Sequence, residues 1–165
     1  MAFAYMPIVG IVQGMQPIIG YNYGAKLQGR VTQTVKLGLV VSTVIASIVW
    51  VVTMGIPELL INIFSNDDSV LANGTNALRL IFLLAPIIGF QIVTGGLYQA
   101  LGKAKTSLML SMSRQLLFLI PIVLTLPHLY GLEGVWMSFP IADVLAFLFA
   151  LIILLKDRKM LFSNL

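Results

Sequence analysis

From position 37 to 56, and again from 80 to 98, the chain carries no charged side chain at all. An α-helix rises about 1.5 Å per residue, so a run of ~20 apolar residues crosses the ~30 Å hydrocarbon core of a bilayer. Hydrocarbon offers no partner to a backbone N–H or C=O, so a run of this kind is stable there only as a helix. Windows of the same type predict three further spans, at 3–23, 106–126 and 135–155. Arg114 is the one charge inside the fourth span and Asp143 the one inside the fifth. Only 10% of the 165 residues are charged and 59% are hydrophobic. Soluble domains carry roughly 25% charged residues, so a solvated surface cannot be assembled from this supply. The expected fold is all-α and integral to the membrane, with five transmembrane helices. Cysteine is absent, which excludes disulfides and thiolate metal sites.

The net charge of +4 is not a nucleic-acid footprint, because the placement of the charges argues against it. Lys26, Arg30 and Lys36 follow the first span, Lys103 and Lys105 precede the fourth, and Lys156, Arg158 and Lys159 follow the fifth. The opposite ends of the spans carry Glu58, Asp67, Asp68 and Glu133, with Arg79 as the cation there. Basic loops stay in the cytoplasm. A multi-pass protein of the cell (inner) membrane is therefore expected, with its N-terminus outside and a cytoplasmic tail at 156–165. The chain enters its first span almost at once, without a cleavable signal pattern, and further helices upstream are expected.

The first span contains "QGMQPIIGYNYGAK" at 13–26. Gly10 and Gly14, and Gly20 and Gly24, have the four-residue spacing of small residues that lets helix backbones approach, and Pro17 lies between the pairs. These five residues are the candidate packing set, inside one bundle or at a moving interface. After Pro57 a short interfacial turn of helix is expected, then a new helix capped by Ser65 or Asn66 with Asp67 and Asp68 in its first turn. That helix is expected to continue for about 35 residues to Ala100, projecting past the outer membrane face. Pro127, Gly131 and Gly134 supply the turn between the last two spans. Ala142, Ala146 and Ala150 form a small stripe that should face another helix.

Polar groups inside a membrane face protein or water. Here they are Gln13, Gln16, Gln91, Arg114, Gln115 and Asp143. No nucleophile–base pairing, metal-ligand spacing or phosphate loop accompanies them, so neither an enzyme nor a bound cofactor or metal is expected. Gln13 and Gln16 share a helix face. Amides donate and accept without fixed charge, which suits the wall of a hydrated substrate cavity and equally suits hydrogen bonds between helices; Gln91 fits either use. Arg114 and Asp143 each lie about 12 Å into their spans from opposite ends. In a ~30 Å core their backbones then differ by about 6 Å in depth, within reach of an arginine. They are candidates for a buried ion pair, structural or part of a coupling site. Otherwise Arg114 reaches for the interface and Asp143 is hydrogen-bonded or neutral.

"QGMQPIIGYNYGAK" resembles the segment ending the second helix of each lobe in the multidrug and toxic compound extrusion (MATE) transporters, in the bacterial multidrug-exporter branch. In order, "IFSNDDSVLANGTNALRLIFLLAPIIGFQ" is similar to the entry to that family's tenth helix. "GGLYQALGKAKTSLMLSMSRQLLFLIPI" resembles its tenth-to-eleventh turn and eleventh helix, and "YGLEGVWMSFPIAD" the entry to its twelfth. The resemblance implies that the five spans are helices eight to twelve of twelve, forming most of one lobe of a two-lobe transporter. It further implies a missing N-terminal lobe as partner, small-molecule drugs of cationic or amphipathic character as substrates, and H⁺ or Na⁺ as coupling ion. Some members use acidic residues of the seventh and tenth helices as a cation site. Here "LIFLLAPIIGFQIVTGGLY" has no carboxylate, so H⁺ is the better expectation. Two other readings stay open: a lipid-linked oligosaccharide flippase relative with a more cationic cavity, and a small five-helix structural membrane subunit.

Overall fold

The computed structural model of the chain describes residues 2–63 and 67–161. Every regular element among them is helical: α1 (Ala2–Gly24), α2 (Gln28–Gly55), the short α3 (Pro57–Asn62), α4 (Asp68–Phe82), α5 (Ala85–Ala100), α6 (Ala104–Met112), a π-helical segment (Ser113–Leu119), α7 (Ile120–Thr125) and α8 (Pro127–Leu161). The cap expected at Ser65 or Asn66 lies outside the described residues.

Among the described residues three stretches are long and apolar enough to cross a membrane: Gln28–Gly55, Ala104–Thr125 and Pro127–Asp157. Asn73–Phe82 and Ala85–Ala100 qualify as a pair, bent by 45°. The expected 35-residue third helix is therefore corrected to two helices. The cause is Pro86. It has no N–H for the carbonyl four residues back, and its ring collides with that carbonyl; the residue concerned is Phe82, where α4 stops. The Leu83 carbonyl at the break accepts a 3.0 Å hydrogen bond from the Trp50 indole of α2, which gives a freed backbone group a partner. The first expected span also differs from the others. At 23 residues α1 is long enough, but its glutamines and glycines leave it less apolar than the remaining spans.

A proline shapes the fourth span as well. The N–H of Ile120 donates to the carbonyl of Gln115, five residues back, which is the π pattern. Pro121 follows immediately and would clash with the carbonyl of Leu117 in a regular helix. Gly131 (φ 57°, ψ −139°) breaks the start of α8, where the sequence asks for a turn.

The helices α1 and α5 end alike. Leu27 N–H bonds Asn22 O and Lys26 N–H bonds Tyr23 O; Lys103 N–H bonds Tyr98 O and Gly102 N–H bonds Gln99 O. Both are Schellman closures around a left-handed residue, Lys26 at φ 59° and Gly102 at φ 72°. Each turns the chain sharply into the next helix, so α1 and α2, and α5 and α6, become antiparallel hairpins with their basic turns at the same end.

The core follows from helical spacing. Tyr5, Ile8, Val12, Met15 and Ile19 are buried on one stripe of α1, at the three- and four-residue steps that keep side chains on one face. They meet Ile88, Val93 and Leu97 of α5 and Val31, Val35 and Ala46 of α2. The α5 helix is the central one, packed on α1, α2, α6 and α8. The stripe of Ala142, Ala146 and Ala150 is buried, with Ala150 in the cluster around Val93 and Tyr98.

The glycines at close contacts are not the ones whose spacing singled them out. A Cβ on Gly10, Gly14 or Gly24 would meet nothing within 4 Å, and one on Gly20 would lie 3.4 Å from the Ala100 carbonyl oxygen. Pro17 is exposed. Close approaches occur at Gly38, where a Cβ would overlap the Met15 side chain, at Gly96, where it would overlap Val12, at Gly89, against the Ser42 backbone, and at Gly134, against the Leu126 carbonyl. The buried stripe of α1 turns Gly10 and Gly14 away from α2 and α5.

Candidate functional site

On one side of the bundle α1, α5, α6 and the π-helical segment enclose a cavity of about 440 Å³, within the usual range for small-molecule sites. Gln13 and Gln16 from α1, Gln91 and Gln99 from α5, and Gln115 from the π-helical segment all line it. So do Arg114, Ser111 and the Tyr5 ring, while Val9, Val12, Ile88 and Ile92 supply apolar wall. Val9 and Gln13 at the α1 rim are exposed, so the cavity opens on the face of α1 that the bundle leaves uncovered.

The helical repeat accounts for this convergence. Positions 88, 91, 92, 96 and 99 share one face of α5, as 5, 9, 12, 13 and 16 share one side of α1. Gln16 donates to the Gln99 side-chain oxygen at 3.0 Å, tying α1 to α5 across the cavity floor. Gln91 is buried and its amide nitrogen has no partner; the Tyr5 hydroxyl is likewise buried and unpartnered. Against an apolar interior an amide or hydroxyl in this condition is costly, so both groups are poised for something that enters the cavity.

Arg114 stands at the start of the π-helical segment and donates its Nε to Asp143 Oδ1 of α8 at 2.5 Å. The Asp143 side chain is fully buried, whereas that of Arg114 is 21% exposed and reaches the cavity. The second carboxylate oxygen of Asp143 has no partner. The Tyr5 hydroxyl lies within electrostatic reach of both members of the pair. Burying a lone carboxylate carries a large desolvation cost, which an adjacent guanidinium offsets.

Gln13, Gln16, Gln91 and Arg114, all named from the sequence, thus border one cavity, with Asp143 directly behind Arg114. Gln99 and Tyr5 were missed as cavity residues, although each had a signal. Gln99 follows Gln91 by eight positions and Tyr5 precedes Gln13 by eight, a spacing that returns to the same helix face. Of the packing candidates, Gly20 lies near Ala100 at the turn end of α1, and Gly10, Gly14, Pro17 and Gly24 belong to surface this bundle leaves open.

A bundle of apolar helices around a polar, amide-lined cavity defines a polytopic helical membrane protein with a small-molecule-sized site. The family model MatE matches residues 1–125; the chain belongs to the MatE family. It is 27% identical over 158 residues to the multidrug export protein MepA of Staphylococcus saprophyticus, covering 94% of this chain and 35% of that protein. The MepA protein of Staphylococcus haemolyticus is 25% identical over 159 residues. Among solved structures, that of the MATE multidrug transporter DinF-BH matches with TM-score 0.92 and 50% identity, over 98% of this chain and 36% of that one. An inward-facing multidrug resistance MATE transporter of the MOP superfamily matches with TM-score 0.89 at 19% identity, a likeness of fold. The chain spans about a third of the length of the relatives it matches.

Proposed function

We propose that this chain forms most of the C-terminal lobe, helices eight to twelve, of a multidrug antiporter that exports cationic or amphipathic small molecules. The observation that carries the reading is the 440 Å³ cavity lined by five glutamines. Neutral amides hydrate the wall and adjust to varied ligands, and the rim opens toward the side where an N-terminal lobe would complete the chamber. Two parallel lobes rocking about such a chamber give alternating access. Gln13, Gln16 and Gln91 contact substrate, and Gly10, Gly14, Pro17 and Gly24 form part of the surface that meets the other lobe. The names of the relatives support export of drugs; the alternation of basic and acidic turns supports an N-terminus outside and a C-terminus in the cytoplasm of the inner membrane. The α5 helix offers no carboxylate, which supports H⁺ over Na⁺ as coupling ion, taken up in the other lobe. The Arg114–Asp143 pair acts as a strut that keeps the cavity wall in place.

The test is whole-cell accumulation of a cationic dye with and without the gene at its own locus. Deletion should raise accumulation; a protonophore should abolish the difference, and replacement of external Na⁺ should leave it. Equal accumulation in both strains would refute export, and loss of the difference on Na⁺ removal alone would refute H⁺ coupling.

A further inference from the structure

Three residues on the cavity wall carry hydrogen-bond donors that lack acceptors among the described residues. The Gln91 amide nitrogen and the Tyr5 hydroxyl are unpartnered, in residues only 7% and 9% exposed, and both line the cavity. Arg114, which also lines it, makes its one hydrogen bond through Nε to Asp143, so its two terminal nitrogens keep their N–H groups free. Asp143 does not border the cavity. It grips the guanidinium from behind, leaving the terminal edge of the fork as the part that a ligand can meet. That edge matches the two oxygens of a carboxylate or sulfonate.

We propose that this corner of the cavity is an oxyanion subsite, which receives the carboxylate or sulfonate of an amphipathic ligand on the Arg114 terminal nitrogens, Gln91 and Tyr5. The inference rests on the export reading and deepens it: this lobe selects substrates that carry an acidic group, including zwitterions, beside an apolar body. The charge balance favours it. Arg114 and Asp143 together sum to zero, so the pair neither repels an incoming anion nor holds it alone, and the two neutral donors complete its shell. A ligand without an oxyanion leaves these buried donors unpaired, which a site built around hydrogen bonds penalises strongly. The apolar body of the ligand then lies against Val9, Val12, Ile88 and Ile92.

Rhodamine B and its ethyl ester differ by one ionisable carboxyl and test the subsite directly. Binding of each dye is measured by fluorescence on the protein purified from its own locus, in a neutral detergent. The wild type should bind the acid about tenfold more tightly than the ester, since a hydrogen bond to a charged group is worth roughly a factor of ten or more. Tyr5→Phe and Gln91→Leu should each weaken the acid about tenfold and the ester by clearly less, so that the preference for the acid falls toward one. Equal affinity of wild type for the two dyes, or equal weakening of both dyes by either variant, would overturn the subsite. A monodisperse gel-filtration peak like that of wild type reports separately that each variant is folded. Efflux of the ester from intact cells tests the export reading separately: no efflux with a preserved tenfold preference in binding would count against export and in favour of the subsite.

Discussion

Replacing Arg114 with methionine should unfold this bundle more readily than replacing its partner. The Asp143 side chain is 0% exposed and that of Arg114 is 21% exposed, so the two losses are unequal. With Arg114 gone, a carboxylate lacking any counter-charge remains in the interior, and breaking a buried pair in this way costs about 3–5 kcal/mol. Even 3 kcal/mol lowers the folded-to-unfolded ratio by a factor of about 150. With Asp143→Leu, the guanidinium keeps its route to the water of the cavity, and the loss is that of one charged hydrogen bond, roughly 1.5–3 kcal/mol. The double variant Arg114→Met with Asp143→Leu buries no ion, and exchanging a buried pair for apolar side chains is often nearly neutral. The assay is the fraction of detergent-solubilised protein that stays monodisperse on gel filtration after stepped heating. The expected order of stability is wild type close to the double variant, then Asp143→Leu, then Arg114→Met. An Arg114→Met protein as stable as wild type, or a double variant as poor as the sum of the singles, would refute the argument that the pair holds α8 to the π-helical segment.

Three more outcomes are expected in the same assay. Gly89→Ala should destabilise by about 1–3 kcal/mol, because its methyl would sit 3.1 Å from the Ser42 backbone; Gly29→Ala, with nothing within 4 Å, should stay within about 0.5 kcal/mol of wild type. Trp50→Phe removes the indole donor from the Leu83 carbonyl and should cost about 1 kcal/mol, with faster amide hydrogen exchange around the α4–α5 bend as its local signature. The Lys103–Asp157 bridge measures 2.9 Å between side chains 31% and 27% exposed, so Asp157→Asn should cost about 0.2–1 kcal/mol, less as salt is raised; a loss beyond about 2 kcal/mol would show that the bridge is shielded from solvent.

Much of the architecture is legible in the residues because membrane helices obey local constraints. Uncharged runs of sufficient length, the sign of the turns between them and the three- and four-residue steps of apolar side chains all act over a few helical turns. The spacing of Gln13 and Gln16 already put both amides on one face, and counting depths from opposite ends brought Arg114 within side-chain reach of Asp143. Pro86 and Pro121 were visible too, but a proline announces a disturbance without choosing its form. At the break the freed Leu83 carbonyl finds its partner in the indole of Trp50, 33 positions away, and the π-helical segment before Pro121 packs on α8; neither partner is local.

What the sequence by itself determined is the class of the protein, its all-helical membrane fold and the list of polar residues too costly to leave in lipid. Tertiary structure decided which of those residues share a cavity, and which glycines matter. Gly38, Gly89 and Gly96 have no distinctive spacing, yet they are where backbones and side chains of different helices touch; Gly10 and Gly14 have the spacing and touch nothing here. The physical reason is the same in both cases. Periodicity places a residue on a face of its own helix, whereas the partner of that face is set by how several helices close-pack at once, and no local pattern encodes that sum.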